Sequence, residues 1–169
     1  MAFTMFQACV PVCTQMLGAL SGVIDKAAAH CAAKKYDETA MLGDRLFPDM
    51  FTLARQIRQA TDFGRNIPGR LAGVALPEFE ATDDQSLAAA KARIDKSLDF
   101  VRGFTPAQID GTEDKEISWT QGQRQVTFRG RVYLLHFGLP NLFFHVTTAY
   151  NILRHRGVEI GKRDFLGSF

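Results

Sequence analysis

Leu139-Pro140-Asn141-Leu142-Phe143-Phe144-His145-Val146-Thr147-Thr148-Ala149-Tyr150-Asn151-Ile152-Leu153-Arg154-His155-Arg156 is the stretch on which the reading of the fold turns. Apolar side chains recur in it every three or four residues, the repeat of one helix face. The spacing predicts a helix over Val132 to Arg156, closed by Gly157 as the glycine after the last turn. Pro140 lies inside that span, so the helix kinks or restarts there and the pairing of the His136 carbonyl is disturbed. The stretch also mixes Asn141, His145, Thr148 and Tyr150 into its aromatics. A polar group amid Phe and Leu must be hydrogen-bonded if buried. This helix therefore carries a structural network or lines a pocket.

Three further helices are expected upstream. The first runs from about Phe3 to Ala33, with apolar positions from Phe6 to Cys31 at helical spacing. Thr4-x-x-Gln7 can form a capping box. Pro11 then either kinks this helix or marks its first residue. Gly18 and Gly22, four apart, would let another backbone approach. Lys34 to Gly43 reads as a turn with room for one short helical turn. The second helix is expected from Phe47, with Pro48 in its first turn. Gly64, Pro68, Gly69 and Gly73 should fray it after Asp62 or restart it as a short piece through Ala72. Residues 74–82 read as a loop. Thr82-x-x-Gln85 would cap the third helix, whose stripe is Leu87, Ala90, Ile94, Leu98 and Val101, ending at Gly103 or Phe104. Ile117–Thr120, Gln121-Gly122-Gln123 and Gln125–Phe128 read as a small β-hairpin. Four long helices, short links and a hairpin between the third and fourth give an all-α antiparallel four-helix bundle, one domain over residues 1–169.

Composition agrees with that class. The chain has 169 residues, 46% hydrophobic and 22% charged, so one ordinary globular domain is expected. Fourteen Phe promise a large core, since each buried Phe is worth roughly 1.5–3 kcal/mol by area. A net charge of +2 lacks the basic excess of a nucleic-acid binder. Cys9, Cys13 and Cys31 are an odd set without metal or redox spacing, and they read as small core residues in a reducing compartment. Residues 1–24 carry no charged side chain, but no Lys or Arg stands near Met1, and Thr4, Gln7, Pro11, Thr14, Gln15 and Ser21 interrupt the apolar run. That argues against a secretion signal and a membrane span and for the cytoplasm.

The candidates for chemistry are few. Asn141 and His145, four apart, project side by side. Asp49 sits at the edge of the second helix's apolar stripe. It either serves the helix dipole, worth about 0.3–1 kcal/mol, or faces the bundle centre and meets His145 or Asn141. Thr148 and Tyr150 would flank the locus. His30 and His155 read as surface residues and His136 as core-edge. There is no Gly-rich phosphate loop, no G-x-S-x-G, no H-E-x-x-H and no zinc spacing.

The block Leu139–Tyr150, with Leu46-Phe47-Pro48-Asp49-Met50, Arg70-Leu71-Ala72-Gly73-Val74, Arg154-His155-Arg156-Gly157-Val158 and Gly161-Lys162-Arg163-Asp164, resembles the bacterial domain-of-unknown-function family nineteen ninety-three over essentially the whole chain. That family is grouped with the DinB/YfiT-like superfamily. The resemblance implies a four-helix bundle in up-down-down-up order, usually dimeric. It also implies one divalent metal held by a histidine of the second helix and two histidines spaced i, i+4 on the fourth. Some members are thiol-dependent transferases or hydrolases. In this chain His145 stands where the last histidine stands, Asn141 replaces the other, and Asp49 is the choice for the second helix. The implied ion would be Zn²⁺, Ni²⁺ or Mn²⁺, and such an oxygen-rich set, harder than three imidazoles, binds Zn²⁺ or Ni²⁺ less firmly.

Three functions compete. One is a metal-assisted hydrolase or thiol transferase using Asp49, Asn141 and His145. Another is a non-catalytic, small-molecule-binding homodimer in which the same residues form a buried network. The last is a dimer interface rich in Phe. Neither a nucleic-acid nor a membrane partner is expected.

Overall fold

The structure, a computed structural model, describes residues 3–79 and 85–168. Its first helix, α1, runs unbroken over Met5–Lys34. Thr4 caps it: the Gln7 N–H donates to Thr4 Oγ1 at 3.3 Å, and the Thr4 N–H donates to Gln7 Oε1 at 3.1 Å. Of the two readings left open by Pro11, the start at Thr4 is the one observed. By length and mean hydropathy α1 could cross a membrane, yet 61% of its most apolar window is buried inside the protein. It is a core helix, packed on the other three long helices. Gly18 and Gly22 do not admit a neighbouring backbone as expected: a Cβ at either would meet nothing within 4 Å. They face an open groove of about 860 Å³.

A short helix, α2, spans Glu38–Gly43 and is capped by Asp37. The second long helix, α3, spans Leu53–Ala72 and starts later than the sequence suggested. Residues 46–50 form bends and a turn instead. The Arg45 guanidinium donates to the carbonyls of Pro48 and Met50 and holds that turn, while Thr52 takes the cap. Pro48 and Asp49 therefore lie outside the helix. The fraying expected after Asp62 is absent as well, and α3 runs straight through Gly64, Pro68 and Gly69. Packing overrides propensity here. Ile67, Pro68, Gly69 and Leu71 are buried. A Cβ on Gly64 would lie 2.7 Å from Leu17, and one on Gly69 2.5 Å from Leu76. The glycines are where other side chains press onto α3.

The third long helix, α4, spans Leu87–Arg102 with Ser86 as its cap; the box expected from Thr82 falls outside the described residues. A one-turn helix, α5 (Pro106–Ile109), follows and was not anticipated. The hairpin pairs β1 (Glu116–Gln121) with β2 (Arg124–Arg129), Trp119 opposite Val126. Its two-residue turn is Gly122-Gln123, with φ +61° at the first position only. That is the type II′ pattern, which needs glycine there. Trp119 leans on Phe128, Tyr133 and Phe137 with ring centroids 5.5–5.9 Å apart, which anchors a ribbon too small to stand alone.

The last helical segment is three pieces in series. A single turn, α6 (Gly130–Val132), leads into a π-helical segment, Tyr133–Gly138, and then α7, Leu139–His155. Pro140 falls in the first turn of α7, where its missing N–H costs least. The wide turn before it is how the chain restarts the helix. Gly138 lets this segment meet α3, since a Cβ there would lie 2.7 Å from Ile67. Gly157, at φ +84°, closes α7 as expected. A short α8 (Lys162–Leu166) then folds back on α1. The protein is thus mostly helical, with one small antiparallel hairpin.

Candidate functional site

His145 is held from α7 toward α3 and is buried. Its Nδ1 lies 2.8 Å from Gln56 Oε1. The Gln56 amide nitrogen donates to the Phe51 carbonyl at 3.4 Å, so its oxygen is the end that meets the imidazole. The bond therefore assigns the proton to Nδ1 and leaves Nε2 as a bare acceptor. Phe51 and Phe63 stack with the ring at 6.4 and 5.7 Å, and Phe144 meets it edge-on at 5.3 Å. This aromatic sleeve strips water from the imidazole. Burial pushes its pKa down from 6.5 to about 4, so the ring is neutral at pH 7.

The other expected residues are elsewhere. Asp49 is exposed in the turn before α3, and among the described residues it makes no hydrogen bond or ion pair. The residue that faces His145 from the second long helix is Gln56. Asn141 is half-buried, and its amide donates to the Phe137 carbonyl at 2.7 Å, where it serves the π-helical segment. Thr148 is buried and donates to the Phe144 carbonyl at 2.7 Å, the usual back-bond of a helical threonine. Tyr150 packs edge-on against Phe165 and borders a shallow hollow of about 220 Å³ on the α8 side. Of the expected set, His145 alone sits in the sleeve. His136 is exposed rather than core-edge, His155 is exposed, and His30 is half-buried.

The metal implied by the resemblance calls for three strong ligands. Here the one imidazole has a single neutral amide, Gln56, as its side-chain partner, and that amide already uses its oxygen. Among the described residues no group of three or more His, Cys, Asp and Glu side chains gathers. This donor set does not fit a resident Zn²⁺, Ni²⁺ or Mn²⁺ ion.

The sequence did carry a signal that was missed. Gln56, Gln59, Phe63, Asn66 and Arg70 recur at steps of three, four, three and four, which places them on one face of α3. Beyond Phe63 that face opens into a hollow of about 370 Å³, walled by Phe137 of the π-helical segment and Trp119 of the hairpin. Gln59, Asn66 and Arg70 line it, with Asp62 at the same wall. Arg70 lies 4.0 Å over the Trp119 ring and reaches the Tyr133 hydroxyl at 3.5 Å. That hydroxyl donates to the Asn66 carbonyl at 3.2 Å, and burial raises its pKa to about 12. Asp62 is engaged by Arg65 at 2.9 Å and by the buried Arg93 at 2.7 Å.

The scaffold is mostly helical, with one histidine where its second and last long helices meet, and the comparisons place it with DinB-like proteins. The sequence model of a domain of unknown function, DUF1993, matches residues 5–166, and the chain belongs to that family. It is also similar to a solved structure described as a DinB family member protein from Shewanella denitrificans. The two share 34% identity and a TM-score of 0.85 over 97% of this chain and 92% of that one. No curated protein matches the chain.

Proposed function

We propose that this protein is a non-catalytic, small-molecule-binding member of the DinB-like class, one domain folded as an up-down-down-up four-helix bundle and acting as a cytoplasmic homodimer. The observation that carries this reading is the bond between His145 and Gln56. The position where a metal ligand would be expected on the second long helix holds an amide, and that amide is tied to the imidazole within an aromatic sleeve. The pair is a buried hydrogen bond that locks α7 to α3. The hollow next to it is of ligand size and has aromatic walls with a few polar groups. Phe143 and Phe144, 39% and 56% exposed, supply the apolar surface for a second copy.

The rival reading is a metal-dependent hydrolase or thiol transferase built on Asp49, Asn141 and His145. It needs a carboxylate at the imidazole, and Asp49 is exposed in a turn instead. Metal titration separates the two. Untagged protein incubated with Zn²⁺, Ni²⁺ or Mn²⁺ and desalted should retain far less than one equivalent, with an unchanged melting temperature. A stoichiometric ion that raises the melting temperature, as a ligand of the native state must, would overturn the non-metal reading. Sedimentation should show a dimer, and Phe144→Asp a monomer.

A further inference from the structure

The hollow between α3 and the hairpin has a feature that the small-molecule reading does not require. Arg70 lines it, and among the described residues no carboxylate pairs with that guanidinium. Its contacts are the Trp119 face, the Tyr133 hydroxyl and a second, outer hollow that it also borders. A guanidinium offers five N–H donors in a fixed fork, so most of its hydrogen-bonding capacity is unused by the protein. Gln59 is half-buried on the same wall, and among the described residues it makes no hydrogen bond. Asn66 carries a buried Oδ1 with no partner. Arg70 and Gln59 are half-buried with polar atoms to offer to whatever enters the hollow, and the buried, unpaired Asn66 Oδ1 beside them calls for an explanation.

The walls specify the rest. Phe63 and Phe137 meet at 5.7 Å and 62°, Phe137 and Trp119 at 5.5 Å and 46°. These tilted rings present both edges and faces to the hollow, a surface that suits another flat ring. Charge balance then selects the head group. Arg70, which no carboxylate pairs with among the described residues, matches an anionic head group. Asp62, on the same wall, is already engaged by Arg65 and Arg93, and a carboxylate fits the Arg70 fork with two parallel bonds.

The geometry points to an aromatic or heteroaromatic monocarboxylate as the ligand class of this hollow, its carboxylate on Arg70, its ring between Phe63, Phe137 and Trp119, and polar ring substituents on Gln59 and Asn66. The inference rests on the small-molecule-binding reading above and adds the chemistry of the ligand. His145 stacks on Phe63 and does not line the hollow.

Trp119 is the one tryptophan of the chain and lines this hollow as well as the outer one, so its fluorescence reports binding at either side of Arg70. The probes are benzoate and its neutral isostere benzamide. Benzoate should shift or quench the Trp119 emission saturably and raise the melting temperature, with benzamide weaker by at least about tenfold, the loss expected when a charge-assisted fork is reduced to neutral bonds. Raising the salt concentration should weaken benzoate and leave benzamide unchanged. Arg70→Gln should bring the two probes to equal affinity. The comparison of probes and salts in the unaltered protein stands even if that variant folds poorly. Equal affinity of the two probes, or benzoate binding that ignores both salt and Arg70→Gln, would overturn the carboxylate while the binding role survives. If neither probe moves the emission or the melting temperature, the carboxylate inference falls. A panel of neutral aromatic amides and alcohols read by the same tryptophan then decides the binding role separately.

Discussion

Acidification should weaken this protein through one side chain. His145 has a pKa of about 4 in the folded state, against 6.5 in an unfolded chain. Between those values the unfolded chain binds a proton at this position and the native state does not, so stability falls as pH falls. The contribution is complete above about pH 6.5 and gone by about pH 4. At about 1.4 kcal/mol per pH unit the whole window is worth at most about 3.4 kcal/mol, and about 2.6 kcal/mol of it is lost by about pH 4.5. Residual water at the edge of the sleeve trims that toward about 2 kcal/mol. Urea unfolding at a series of pH values measures it. With a slope of about 2 kcal/mol per molar urea, the midpoint should drop by about 1 M between pH 7.5 and pH 4.5 beyond the drop seen in His145→Gln. That variant keeps an amide partner for Gln56 but has nothing to titrate. The other three histidines are common to both proteins and cancel. Parallel pH curves for the two proteins, or a His145 ring that titrates near 6.5 by NMR, would refute the account of the sleeve.

Other outcomes can be checked at the same bench. Gly130→Ala puts a Cβ 1.9 Å from the Thr112 carbonyl oxygen, a backbone atom that cannot swing aside. It should cost about 3 kcal/mol or more, read as a large fall in melting temperature. Arg93→Met removes a guanidinium that is 4% exposed and holds both Asp62 and Thr61. The expected loss is about 3 kcal/mol, because the groups it served stay behind. All three cysteines are buried, and the Cys13 thiol is pushed up by its hydrogen bond with Cys9 and then by burial. An aromatic disulfide reagent should find no fast-reacting thiol in the native protein and three after unfolding.

The architecture was legible where local and long-range preferences agree. Thr4 and Gln7 announce the start of α1, and the stripe from Leu87 to Val101 places α4. Gly122 in a polar turn between alternating strands gives the hairpin. The misreadings came from residues whose meaning lies across the fold. Pro68 and the two glycines of α3 look like breakers until Leu17 and Leu76 are seen pressing on them. Asp49 has the right chemistry for a site, but Arg45 ties its neighbours into a turn and Thr52 caps the helix beyond it. Gln56 was passed over because a glutamine on a helix is usually a solvated side chain. Nothing local says that an imidazole eighty-nine positions away will need its oxygen. Arg70 and Trp119 are likewise ordinary in sequence, and only the folding of the hairpin onto α3 brings them together.

The wide turn at Tyr133–Gly138 has an implication for how the chain can vary in length. A π turn holds one residue more than an α turn while covering almost the same rise, so it behaves as an insertion that the helix has absorbed. Deleting one residue there would tighten the segment to ordinary α geometry and leave the helix beyond it in phase, with His145 still pointing at Gln56. The same deletion a few positions later would rotate everything downstream by about 100°, the angle per residue of an α-helix, and carry the imidazole away from its partner. Shorter relatives should therefore show their gap before Pro140 and not after it.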